Sequence, residues 1–264
     1  MSLVGTNRLP WFGNVAARLL SLHPIPKHVG FIMDGNRRYA RVHQLDNVVD
    51  GHAKGFDQLI RVVEWSIHLG VREVTVYAFS LENFKRSEQE VQRLQELAKE
   101  RFEELLKSRQ LENIGVRIRF FGNKSKFPED VRKTMDDVKE STRKFCRGII
   151  NICVAYTAQY EIVRTMQRVQ ADVQRGDLKA RFVLPISLLL TSSVCFQRVF
   201  SFDPPIPLTC LQCGNAFVYF DNVLWPDFGF WHFFKALFQY QLHTMKTRKP
   251  LAVACSPLPL PFTC

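Results

Sequence analysis

Asp34-Gly35-Asn36-Arg37-Arg38 places a carboxylate, a flexible backbone position, an amide and two guanidinium groups in succession. Gly35 allows a backbone to approach a ligand closely. Asn36 can both donate and accept hydrogen bonds. Arg37 and Arg38 offer planar, permanently charged forks that suit phosphate oxygens. Asp34 is the odd member, and a phosphate site tolerates it best where Mg²⁺ bridges carboxylate and phosphate. A surface turn with a local Asp–Arg pair accounts for the same residues equally well. A second cluster, Ser80-Leu81-Glu82-Asn83-Phe84-Lys85-Arg86, again joins a hydroxyl, an amide and a guanidinium. His52, beside Gly51, opens a helical stretch between the two clusters and could meet an anion there. A single histidine is more often structural.

Each cluster directly follows an apolar run of the kind that forms a buried strand. Val29–Met33 precedes the first and Val74–Phe79 the second. Further strands are expected at Val116–Phe121 and Ile149–Val154. Helical spacing runs over Gly51–Leu69, Ser87–Leu106, Phe127–Phe145 and Ala158–Gln174, with Glu90 at the capping-box position after Ser87. Strand and helix alternate, so the expected fold is α/β, with a mainly parallel central sheet flanked by helices. Ligands of such sheets bind beyond the carboxyl ends of the strands, where both polar clusters lie.

The 264 residues are 46% hydrophobic and 23% charged, which excludes a disordered, collagen-like or disulfide-scaffold chain. A formal net charge of +11 points to an anionic partner: nucleic acid, a membrane surface or a phosphorylated small molecule. No nucleic-acid-binding motif is present and the basic residues are interspersed with acids, so no nucleic-acid partner is expected. Seven Cys show no disulfide framework, and the lone pair Cys210-Leu211-Gln212-Cys213 is weak grounds for zinc. No signal peptide is expected. Residues 1–23 read as an amphipathic helix with Trp11, Val15, Leu19 and Leu20 on its apolar face, suited to a membrane surface, an apolar cavity or ordinary docking. The apolar run Phe182–Phe196 contains Pro185 and is shorter than a membrane span.

His28–Ala40, Gly51-His52 and Val74–Arg86 resemble the cis-prenyltransferases, the undecaprenyl diphosphate synthase family. Asn151–Tyr156 and Val223–Phe228 match further blocks in the family's order. The N-terminal helix and the Arg37-Arg38 pair look more like the eukaryotic catalytic subunits of the dehydrodolichyl diphosphate synthase type. The resemblance implies an apolar tunnel between sheet and helices. It also implies extension of an allylic diphosphate, such as farnesyl diphosphate, by isopentenyl diphosphate with Mg²⁺ as cofactor. Asp34 matches the essential, metal-holding aspartate. Gly35, Asn36, Arg37 and Arg38 match the diphosphate-binding loop, and His52, Ser80 and Arg86 match further substrate positions. Asn83 matches the residue with the proton-accepting role. An amide is a poor base, so Asn83 is expected to position or relay a proton. The implied setting is the cytoplasmic face of the endoplasmic reticulum, with peripheral membrane contact. The implied assembly is a heteromer with a Nogo-B-receptor-like subunit, or a homodimer.

The resemblance covers residues 24–178 and 217–242, within one domain spanning 24–245 followed by a proline-rich tail, 246–264. Residues 181–216 diverge. The family's isopentenyl-diphosphate strand, with its Arg-x-Ser-Gly-type turn, has no counterpart there, and its loss would leave a gap in the sheet. Residues 181–264 hold six of the 36 basic side chains, no Glu, and 12 of the 22 Phe. Phe217 stands where bacterial members carry a metal-binding acid that the eukaryotic catalytic subunits also lack, and the resemblance implies that a partner subunit contributes an Arg-x-Gly end to the shared site. The altered segment 181–216 supports a rival reading, a catalytically inactive family member, or a splice form, that acts as a binding or regulatory partner.

Overall fold

A computed structural model describes residues 11–108, 110–177, 198–201 and 216–247. The apolar run 182–196, the Cys210/Cys213 pair, residues 1–10 and the tail from 248 onward lie outside the described residues.

The His28–Ile32 run is buried along its whole length and forms the strand β1. It pairs in parallel with β2 (Glu73–Ser80), and β2 pairs in parallel with β4 (Gly148–Tyr156). Beyond β4 lies β3 (Val116–Phe121). On the other side of β1 come β5 (Arg198–Ser201) and β6 (Phe217–Phe220), so the order is β3-β4-β2-β1-β5-β6, with every described neighbour parallel. The expected gap in the sheet is thus corrected. Residues 198–201 lie within the divergent segment and still pair with β1, Gly30 opposite Val199 and Phe31 opposite Phe200. Strand pairing is made by backbone groups, so a run of four residues suffices whatever its side chains.

Alternation along the strands sends Val29, Phe31, Val74, Val76, Ile118, Ile150 and Ile152 into one core. Three helices cover that face: α3 (Val48–His68), α4 (Glu88–Lys107) and α6 (Glu129–Ser141), with α3 packed on α4 and α4 on α6. Ser87 caps α4 by accepting from the Glu90 N–H at 3.4 Å. Helix α6 is shorter than its sequence pattern, because Pro128 caps its start and Thr142 its end. Residues 110–114 form the short helix α5, and Ala158–Gln174 form α7, capped by Thr157.

The N-terminal helix α1 (Trp11–Ser21) packs on the last helix, Phe230–Thr247, called α8. The expected apolar face is split. Leu20 is buried, together with the small residues Gly13 and Ala16, whereas Val15 and Leu19 are exposed. Small side chains let α1 approach α8 closely, and the Gln241 side chain fixes its end by donating to the carbonyls of Leu20 (2.6 Å) and His23 (3.2 Å). No helix of the described residues is long and apolar enough to cross a membrane.

Candidate active site

The chain leaves β1 at its carboxyl end and enters a one-residue left-handed turn at Gly35, φ 97°. It then forms α2 (Asn36–Val42), a seven-residue helix that the sequence reading treated as loop. Both carboxylate oxygens of Asp34 are engaged. The Gly35 N–H donates to one at 2.6 Å, and the Arg38 guanidinium donates to the other at 3.0 Å. The local Asp–Arg pair is therefore real, but it uses Arg38 alone. Arg37 is exposed beside it.

The carboxyl end of β2 lies next to β1 and delivers the second cluster. Leu81–Lys85 make one 3-10 turn whose ends lock each other. The Ser80 hydroxyl accepts from the Glu82 N–H at 3.1 Å, and the Ser80 N–H donates to the Asn83 side-chain oxygen at 3.0 Å. Asn83 also lines the adjoining cavity, and Ser80 fixes the orientation of its side-chain amide through that oxygen. Arg86 holds Glu90 at 2.9 Å. Burial, followed by the like charge of Arg37, pulls the Arg86 guanidinium below its ordinary range. Two cations from different strand ends thus share one small region.

Helix α3 completes the group with His52. Burial, then the charges of Arg86 and Arg37, lower its pKa to about 4, so the imidazole is neutral at physiological pH. Its buried Nε2 has no hydrogen-bond partner, and neither has the side-chain oxygen of Asn36. The His52 nitrogen, on the cavity lining, is left for a ligand to satisfy, whereas the Asn36 oxygen is packed against Gly55 of α3.

Support comes from residues whose roles the sequence reading did not assign. A side chain at Gly51 or Gly55 would collide with Asn36, so these two positions on α3 are what admit α2 so closely. Trp225 is fully buried; its indole N–H donates to the Gly55 carbonyl at 2.7 Å, and its backbone N–H donates to the Asp34 carbonyl at 3.0 Å. Gln58 of α3 donates to the Phe228 carbonyl at 2.5 Å. The Gly51-x-x-x-Gly55 spacing was the available signal for this close approach.

Behind the charged mouth lies an apolar cavity of about 130 Å³, floored by the sheet at Phe79, Ile152 and Val154 and walled by α3 and α4. Asn36, His52 and Asn83 line its polar end. Phe217 lies elsewhere, at the start of β6, with its ring 5.2 Å from that of His243 and 6.0 Å from that of Tyr240.

A family model described as putative undecaprenyl diphosphate synthase matches residues 32–203. The chain belongs to the undecaprenyl diphosphate synthase family. The match runs beyond residue 178, into the segment that the sequence reading set apart. The dehydrodolichyl diphosphate synthase complex subunit of Homo sapiens is 34% identical over 255 residues, covering 92% of this chain and 75% of that protein. The corresponding subunit of Schizosaccharomyces pombe is 34% identical over 234 residues, covering 83% and 86%. Among solved structures, lavandulyl diphosphate synthase from Lavandula x intermedia superposes with a TM-score of 0.76 at 22% identity, covering 82% of this chain and 95% of that one. A probable undecaprenyl diphosphate synthase from Campylobacter jejuni gives 0.65 at 22% identity, covering 86% and 97%. The parallel sheet is thus the fold of this synthase family, and the chain is a prenyl-transferring enzyme of the cis-prenyltransferase type. Within the synthase fold, the charged groups gather at the carboxyl ends of adjacent strands, as expected of an open α/β sheet.

Proposed function

We propose that this enzyme extends farnesyl diphosphate by cis condensation with isopentenyl diphosphate, giving long-chain dehydrodolichyl diphosphate for dolichol synthesis and protein glycosylation. The observation that carries the reading is the juxtaposition of a cationic mouth, Arg37 with Arg86, and an apolar cavity beginning at Asn36, His52 and Asn83. An allylic diphosphate has the same two parts, an anionic head and a hydrocarbon tail. Burying the tail in the cavity, and in a tunnel continuing from it, is favoured in proportion to the apolar area removed from water.

Mg²⁺ fits this donor set. Among the described residues no group of three potential ligands gathers; the Asp34 carboxylate stands at the mouth, where Glu90 is held by Arg86. Mg²⁺ is commonly held in that way, by one or two carboxylates together with substrate phosphates and water. When bound, it would neutralise charge on the departing diphosphate. The chain's own groups do the rest. Arg37, Arg38 and Arg86 hold the diphosphate oxygens and favour heterolysis of the allylic C–O bond. Gly35 and Asn36 shape the loop that meets the head group. Neutral His52 donates or accepts one hydrogen bond at the cavity mouth. The Asn83 NH₂, fixed through Ser80, positions the acceptor and guides the proton lost in condensation.

Val15, Leu19 and Leu22 are exposed on and just after α1 and support peripheral contact with the cytoplasmic face of the endoplasmic reticulum. Similarity to subunits of a named complex supports a heteromer with a Nogo-B-receptor-like partner. The test is co-expression with a candidate partner subunit, with farnesyl diphosphate, Mg²⁺ and labelled isopentenyl diphosphate supplied. Label in organic-extractable polyprenyl products, absent in Asp34→Ala, is the expected result. Farnesyl diphosphate binding without turnover would instead favour the non-catalytic partner reading.

A further inference from the structure

Tyr77 stands on the sheet face opposite the cavity, yet its hydroxyl reaches the turn that carries Asn83. Two irregularities in the sheet make this contact. β2 and β4 pair Tyr77 with Cys153, then Phe79 with Val154, then Ser80 with Tyr156, so Ala78 and Ala155 are each an extra residue in their strand. Ala155 takes φ 45°, a left-handed conformation uncommon for a residue with a side chain. An extra residue reverses the alternation of the side chains beyond it. Past Ala78, Phe79 turns into the cavity and Ser80 falls on the face of Tyr77. Past Ala155, Tyr156 falls on that face too, where it packs with Tyr77 and Cys153.

The hydroxyls then form a line with one direction. Burial pushes the Tyr77 phenol well above its ordinary range, so it keeps its proton. That one proton is donated to the Tyr156 backbone carbonyl. Toward Ser80, its other hydrogen-bond partner, Tyr77 therefore accepts, and the Ser80 hydroxyl donates. The Ser80 oxygen keeps a lone pair for the Glu82 N–H, and the Ser80 N–H holds the Asn83 oxygen. At the far end, the Tyr156 hydroxyl donates to the buried Glu161 in the first turn of α7. The Asn83 turn is thus anchored through Tyr77 to the end of β4. The line from Ser80 stops at a peptide carbonyl, which takes up no proton, so it fixes geometry and carries no proton away.

We propose that Tyr77 is a positioning residue for the Asn83 turn, acting through Ser80 from the face of the sheet that the cavity does not touch. The inference rests on the prenyl diphosphate reading above and names the group that sets the angle of the Asn83 amide.

The test compares the complex as wild type, Tyr77→Phe, Ser80→Ala and the double variant. A non-cleavable farnesyl thio-diphosphate reads binding apart from turnover. Phe keeps the ring, which packs edge-on against Tyr156 with centroids 5.7 Å apart, and removes only the hydroxyl. Tyr77→Phe should lower kcat about tenfold while affinity for the farnesyl probe stays within about twofold. The double variant should be no slower than Ser80→Ala alone, because the hydroxyl acts through Ser80. In Tyr77→Phe, amide exchange should quicken about tenfold at Ser80 and Glu82 and keep its wild-type rate at Val74 and Val76 of the same strand. Where the wild type binds the probe without turnover, that exchange pattern alone decides. Unchanged kcat or exchange in Tyr77→Phe, losses that multiply in the double variant, or a Phe variant that does not fold would each overturn the proposal and leave Tyr77 as a core residue. Absence of farnesyl probe binding to the wild type would instead overturn the prenyl diphosphate reading, and this inference with it.

Discussion

β1 and β2 end in charged turns, whereas the C-terminal segment 216–247 reaches the same site through Trp225, Phe228 and backbone hydrogen bonds. The first region supplies groups that can hold an anion. The second supplies bulk: Trp225 stacks on Phe228 with ring centroids 5.7 Å apart, and both pack on Phe31 of β1. Chemistry and support are therefore carried by different stretches of sequence, and substitutions should separate them.

The largest separation is expected at Asp34. Asp34→Ala should lower turnover by about 10³-fold or more, since it removes the carboxylate of the Asp34–Arg38 turn at the mouth. Asp34 is partly exposed and its contacts are local, so Tm should move by less than about 4 °C. A folded variant with normal turnover would break the division at its strongest point.

Trp225→Ala should show the opposite pattern. Emptying a fully buried indole site costs about 3–5 kcal/mol, to be read from the denaturation midpoint. Any activity that survives should be lost with the fold, on heating, and not at the chemical step. A stable Trp225→Ala protein with a dead site would show that the support also takes part in the reaction.

His52 joins the two regions through pH. Its pKa of about 4 in the folded protein lies below the ordinary 6.5. Above pH 6.5 both folded and unfolded forms are neutral, so His52 leaves stability unchanged. Between pH 6.5 and 4 the unfolded chain takes up a proton that the folded one refuses, and stability falls as pH drops. The loss reaches at most about 3 kcal/mol near pH 4. His52→Gln should flatten that part of the stability–pH curve. An unchanged curve would mean that His52 is hydrated in the folded protein.

The smallest effect is expected at an exposed polar contact between the two regions. His43 and Asp227 lie 3.8 Å apart and both are nearly half exposed. Asp227→Asn should cost about 0.5 kcal/mol or less by chemical denaturation. A cost comparable with that of Trp225→Ala would mean that charge, and not packing, holds the loop.

The sequence pattern located some elements to the residue. β3 at 116–121 and α7 at 158–174 were both legible, the first from a short run ending at Gly122, the second from helical spacing between Thr157 and Gly176. Helix α2 was not legible. It is seven residues long and bears three arginines, and it is held by contact with Gly51 and Gly55, which no local pattern encodes. β5 escaped for a related reason, because its place depends on pairing with β1 and β6. At the site, residue types and spacing located both clusters, and the structure brings them together. The reciprocal Ser80–Asn83 lock was missed, because a serine followed three residues later by asparagine lacks the acidic partner that marks the familiar cap.

The hydrogen bond from Trp225 to Gly55 spans 170 residues of sequence. A ribosome releases the whole Asp34–Arg38 turn, and the helix beneath it, long before the residue that pins them emerges. Until then α2 and α3 meet without their indole wedge, and the turn that carries Arg37 and Arg38 lacks the backbone hydrogen bond from Trp225 to the Asp34 carbonyl. The full set of contacts around this turn is therefore completed late in synthesis, in step with the arrival of the C-terminal segment.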